Sequence, residues 1–398
     1  MSVPAAVRSV AVLVLFFGAM RAQTVPPAAP PPRPPLKEGA DTNDATAYYS
    51  LGAATMTSSA ATAGNAFYWA IRLDPTIAAA YDARAFALVQ MWRDSLIISR
   101  DDPAHGYDRN LPRELAVQYQ SLEYDALIRD PFFDRRFDLL LYPPSIRPLI
   151  ARSTDPILQG YYLTVMHDFP QAVAAWERAI QRNPKGRWLH LRRANALYFA
   201  QQFDSAYAEF TLVLDTTEAR QQRKLDQEHA LDSKAVLLYA MGLIRVRQER
   251  FDAARELFGR SLVEDLGFYM SHVRLAEMDL RAADTVAAVN ELMTAAQVES
   301  ADPVVRLQLA GLLLATHAEQ DAMTQVLAAI ALDPHYAASY ELLGRIFDAR
   351  GESDSARQGY REFLRRAARS DPLVPPVIAR ITQLQFDSAH AGPSHPPG

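Results

Sequence analysis

The sequence predicts an all-α protein built as a solenoid of paired helices. Three observations carry that expectation. Asp-Pro or Asn-Pro recurs at 74–75, 130–131, 183–184, 302–303, 333–334 and 371–372. Proline cannot continue a helix and disfavours helix in the residue before it, so each pair marks a boundary. The last full interval, Pro303 to Pro334, is 31 residues, and a period in the thirties with two helices per unit marks a helical solenoid. Third, a small–large–small set recurs at i, i+4 and i+7, one helical face. It reads Ala172, Trp176, Ala179, then Ala254, Phe258, Ser261.

Each element follows in chain order. Ser9 to Met20 is uncharged and mostly apolar after Arg8. Those 12 residues fall short of the about 20 that a spanning helix needs. A short apolar core followed by small residues reads as an export signal, residues 1–22, cleaved after Ala22 or Ala19. An uncleaved anchor is the alternative. Residues 23–44 form a linker in which Val25–Pro35 favours extended polyproline II, a spacer without its own core. Repeats follow over 45–98, then an irregular insertion over 99–152, then the main array over 153–371. A capping helix over 372–386 covers the last apolar face, as solenoids require. The tail, 387–398, is flexible by composition.

Within the array, 155–184 is the clearest unit. Gly160 sits inside its first helix where a second helix must approach closely, and Trp176 fills the gap. Gly242 with Phe258, and Leu343-Gly344 with Ala356, Tyr360 and Phe363, repeat the arrangement. Residues 304–334 contribute Ala310, Ala322, Val326 and Ala329. Over most of 45–370 this order of aromatic, Leu-Gly, Ala, bulky residue, Ala and Pro resembles the tetratricopeptide repeat family. The resemblance implies a right-handed superhelix of seven or eight hairpins whose first helices line a concave, protein-binding side.

By that resemblance the inward positions include Tyr49, Arg84, Tyr161, Arg193, Tyr239, Glu277, Glu341 and Arg345. Tyr and Arg are enriched at binding hot spots. Each Tyr also has a second reading, as packing between repeats. The insertion carries Asp101, Asp102, His105 and Asp108, a candidate contact loop whose spacing matches no calcium loop. Arg361, Arg365, Arg366 and Arg369 cluster near a helix C-terminus, where cations complement the dipole. They offer an alternative contact for an anionic partner or lipid headgroups.

Other chemistry is excluded or unsupported. The chain has no Cys, so disulfides, thiolate metal sites and a thiol nucleophile are absent. Its net charge is −5, against nonspecific nucleic-acid binding. No His-Glu-x-x-His, Gly-x-Ser-x-Gly or phosphate-loop motif occurs. No cofactor or metal is expected. The expected function is a non-catalytic scaffold of the periplasm or cell envelope that binds a protein or peptide, without a membrane span after cleavage. The alternatives are an envelope-assembly component touching anionic lipid, and an enzyme or small-ligand receptor using 99–152.

Overall fold

Two recurring turns set the helix ends. The first is built on Asp-Pro. One carboxylate oxygen of Asp74, Asp130, Asp155, Asp302, Asp333 and Asp371 accepts the backbone N–H two residues on, at 2.8–3.0 Å. Aspartate mimics a backbone turn in this way, and the proline stops the preceding helix. The second turn joins the helices of one hairpin. His167, Gln201, Glu249, Ala283, His317 and Gly351 all have φ between 58° and 73°. The residue after each donates to a carbonyl five positions back, at 2.9 Å in every case. That is a Schellman motif, which satisfies carbonyls left open at the helix end.

The computed structural model of the chain describes residues 30–97, 112–132, 148, 151–222 and 233–390. Met1–Arg33 and Pro34–Gly398 separate into two units. Of the first, residues 30–33 are described and carry no helix. The second holds seventeen helices and no strand among the described residues. The expected export signal and the 99–110 insertion lie outside the described residues.

Sixteen helices pair into eight hairpins. These are α1 (Ala45–Thr55) with α2 (Ala60–Leu73), α3 (Ala78–Ile97) with α4 (Arg113–Arg129), α5 (Pro156–Val165) with α6 (Phe169–Arg182), and α7 (Arg187–Phe199) with α8 (Phe203–Gln222). Next come α9 (Lys234–Arg247) with α10 (Phe251–Glu264), α11 (Tyr269–Arg281) with α12 (Thr285–Val298), α13 (Pro303–Ala315) with α14 (Glu319–Leu332), and α15 (Ala337–Ala349) with α16 (Ser353–Arg366). The last helix, α17 (Val374–His390), caps the array. It buries Val377 and Leu384 beside Tyr360 and Phe363. Arg380 grips both oxygens of Asp348, each at 2.7 Å.

Glycine in a first helix decides how closely its partner approaches. A Cβ on Gly160 would stand 2.6 Å from the ring of Trp176, and one on Gly344 2.5 Å from that of Tyr360. Phe67 and Phe258 fill the same place beside Gly52 and Gly242. The rings of Phe67, Trp176 and Phe258 are wholly buried. Ala63, Ala172 and Ala254, one turn earlier on the second helix, are buried too.

The hairpins form two groups. The helices α1 to α4 make an N-terminal arm of two hairpins, and α5 to α17 make the array. The arm meets the array in reversed chain order. Phe132, just past α4, stacks on Tyr198 of α7 with ring centroids 3.6 Å apart. Tyr124 of α4 meets Phe268 edge-on. Arg129 lies 2.9 Å from Asp302, and Arg72 of α2 lies 3.1 Å from Asp333. At the far end Asn43 donates to the carbonyl of Arg365 at 2.9 Å, and Asp41 accepts the backbone N–H of Arg369 at 2.6 Å.

Candidate protein-interaction surface

The candidate surface is the one expected of the first helices of the hairpins, α1, α3, α5, α7, α9, α11, α13 and α15. The eight residues expected there fall into two groups. Tyr161 on α5 is buried, its ring edge-on to Trp176 at 4.7 Å. Tyr239 on α9 is 0% exposed, packed on Phe258 and Phe268 with its hydroxyl accepting from Arg274 Nε at 3.1 Å. These two tyrosines are core residues and not open anchors, which corrects their expectation as inward binding positions in favour of the second reading, packing. The cause is geometric: each ring packs onto the aromatic that its own glycine admits.

The others lie nearer the surface, most of them engaged. Tyr49 is half-buried against Phe67. Arg84 stacks over Tyr68 at 4.6 Å, and burial lowers its pKa. Arg193 bridges Glu177 and Glu209, both at 2.9 Å. Glu277 pairs with Arg274 at 2.6 Å. Burial works against the Arg274 charge, but Tyr239 and Glu277 outweigh it and raise the pKa. Burial raises the Glu341 pKa, with Arg345 opposing. Arg345 itself is exposed. Asp101, Asp102, His105 and Asp108 lie outside the described residues.

Two His–carboxylate pairs, His190–Glu209 at 2.7 Å and His272–Glu291 at 2.6 Å, resemble catalytic dyads in isolation. Each pair is 19 residues apart, and Arg306 with Gln325 repeats the spacing in the hairpin of α13 and α14. They are one recurring tie between the helices of a hairpin. No cluster of three or more His, Asp or Glu suited to a metal occurs among the described residues. No helix among them is long and apolar enough to cross a membrane.

The arginine cluster is largely committed within the chain. Arg365 and Arg366 both pair with Glu362. Arg366 also donates to the Pro334 carbonyl at 2.8 Å and lies over the Tyr340 ring. Arg369 reaches Asp41 and the Gly39 carbonyl of the arm. Arg361 is exposed.

The feature that sequence reasoning missed is the end of α4. Leu127 and Ile128 share a buried cluster with Val236, Tyr239, Phe268 and Val273 from the loops and first helices of the array. Phe132 joins Leu197, Phe210, Leu237 and Leu238 in another. The chain thus seats one of its own helix ends on the first helices. Nearby, α7 leaves Trp188 and Phe199 exposed, and α11 leaves Leu280 exposed.

Residues 247–390 match the family model of the tetratricopeptide repeat-like domain. No curated protein matches the chain. Similar solved structures include the C-terminal part of a TPR repeat-containing protein from Cytophaga hutchinsonii, at 13% identity and a TM-score of 0.44, over 58% of this chain and 89% of that one. PilF of Pseudomonas aeruginosa aligns at 16% identity and a TM-score of 0.41, over 61% of this chain and 99% of that one. A tetratricopeptide repeat protein from Parabacteroides merdae aligns at 12% identity and a TM-score of 0.38, over 76% and 98%. The tetratricopeptide repeat-like match thus spans residues 247–390, a segment whose stacked hairpins have the same build as the hairpins before it.

Proposed function

We propose that this protein is a non-catalytic interaction scaffold, exported to the periplasm or cell envelope, that holds a helix or peptide of a partner protein on the first helices of its array. One observation carries the reading: those helices already seat an apolar helix end, through Leu127, Ile128 and Phe132. The tetratricopeptide repeat-like domain supports the same class of function. The export half rests on residues 9–20 and is tested by N-terminal sequencing of the native protein. A start near Gln23 supports it, and a start at Met1 or Ser2 removes it.

The binding half is tested with the mature chain and a partner recovered from envelope extract. Trp188→Ala and Leu280→Ala, on exposed first-helix positions, are expected to weaken the complex by about 1–2 kcal/mol each. Arg178→Ala, on the outer face of α6, is the control and leaves affinity unchanged. Equal affinity for all three variants and the wild type would remove the groove from consideration.

A further inference from the structure

We infer that the arm, the helices α1 to α4 with Phe132, is a displaceable cover, and that the face beneath it on α7, α9 and α11 receives a partner's amphipathic helix that copies the end of α4. This rests on the scaffold reading and adds the chemistry of the partner. The helix recognised carries two adjacent aliphatic side chains and an arginine in its last turn, with an aromatic ring just beyond its end. Those are the features that Leu127, Ile128, Arg129 and Phe132 present to the array.

Three observations argue for a cover instead of a permanent wall. First, the arm's four helices pack on one another, and so do the array's, but among the described residues no arm helix packs along an array helix. The two parts meet through individual side chains that reach rings, carboxylates and backbone groups of the other part. Second, the contacts are of types that a helix from another chain reproduces: a ring stack on Tyr198, an edge contact on Phe268, an aliphatic pair beside Tyr239 and an Arg–Asp pair. Helix-in-groove recognition uses such anchors at helical spacing. Third, the acceptors Asp302 and Asp333 sit at equivalent places, 31 residues apart, in successive Asp-Pro turns. Each meets an arginine of the arm. The array offers a regular ladder of acceptors, and the arm uses two rungs.

The test uses the mature chain and a fluorescein-labelled synthetic peptide of residues 112–132 as the probe. Binding is read by fluorescence anisotropy for the wild type and for a lifted variant, Arg72→Ala with Leu127→Ala and Phe132→Ala, whose receiving face is intact. The expected result is at least tenfold tighter peptide binding by the lifted variant. Adding Tyr198→Ala to it should reverse the gain at least tenfold. A peptide with alanine at the positions of Leu127, Ile128 and Phe132 should not bind. Equal peptide affinity of the wild type and a lifted variant that is folded by circular dichroism would overturn the proposal. So would equal binding of the alanine peptide.

If the lifted variant does not fold, hydrogen exchange on the wild type decides. Exchange of α1–α4 as a group, ahead of α9–α14, supports a cover, and equal protection overturns it. Peptide failure alongside partner loss in Trp188→Ala would sink the cover while leaving the scaffold standing.

Discussion

Trp176 is the plainest case of a residue whose surroundings dictate its worth. It fills the space beside Gly160 and donates to Thr164 at 3.4 Å. Trp176→Ala should cost about 3–5 kcal/mol in denaturant unfolding, the usual range for emptying a large aromatic site. The reverse change, Gly160→Ala, pushes a methyl group into the ring and should cost about 1–3 kcal/mol by overpacking. Asp333 gives a prediction in pH. Burial lifts its pKa to about 6 from 3.8, although Arg72 and two backbone N–H groups pull it down. A pKa raised on folding means that the folded chain takes up the proton more readily. This residue therefore adds stability as pH falls from 7 to 5, by about 1 kcal/mol. The charged group acting on it is Arg72 from the arm, 3.1 Å away. Denaturant midpoints at the two pH values, for the wild type and Asp333→Asn, check it. An identical pH response in both would assign the effect elsewhere.

Among the elements, the hairpin turn is the most regular device, and five of its six left-handed positions are not glycine. An L side chain there is disfavoured by about 1–2 kcal/mol. Gln201→Gly, Glu249→Gly and Ala283→Gly should each stabilise the chain by about 0.5–1 kcal/mol, less than the full cost because glycine also loosens the unfolded chain. Melting temperature reads the gain, and a lower melting temperature in all three would refute the strain argument. These turns also show what the sequence made legible. Hairpins, glycine–aromatic pairs and the cap were readable because their causes are local: an Asp-Pro stop, a helical period, a close approach between neighbours. The seat of Leu127, Ile128 and Phe132 on the array was not readable. Val236 and Phe268 lie more than a hundred residues beyond Leu127, Tyr198 lies 66 beyond Phe132, and no period links the two sets. In the sequence the apolar run at the end of α4 fell within the irregular insertion expected over 99–152.

For the whole molecule the governing fact is that arm and array are fastened by few, specific points. Arg129–Asp302 is the best buried of the ion pairs between them, with 12% and 7% of the side-chain surface exposed. The pKa of Arg129 is raised: burial opposes its charge, but Tyr81, Asp302 and other neighbours outweigh it. Removing one partner strands the other, which typically costs about 3–5 kcal/mol. Asp41–Arg369 is more exposed and screened, and contributes little. The double variant Arg72→Ala with Arg129→Ala should therefore enlarge the radius of gyration in small-angle scattering with helicity unchanged. An unchanged radius would mean that the apolar contacts alone hold the arm.

The span of these fastenings along the chain sets the order in which they form and break. A hairpin of the array closes between neighbours in sequence, and loops that short close in well under a microsecond. Asn43 must find Arg365 across 322 residues, and Asp41 must find Arg369 across 328. Loop closure on that scale is costly in entropy and slow, so these contacts form only after the hairpins have zipped. Under tension applied at residues 34 and 390 the sequence reverses. The clasp of Asp41 and Arg369, close in sequence to both points of pull, should open before any hairpin unwinds.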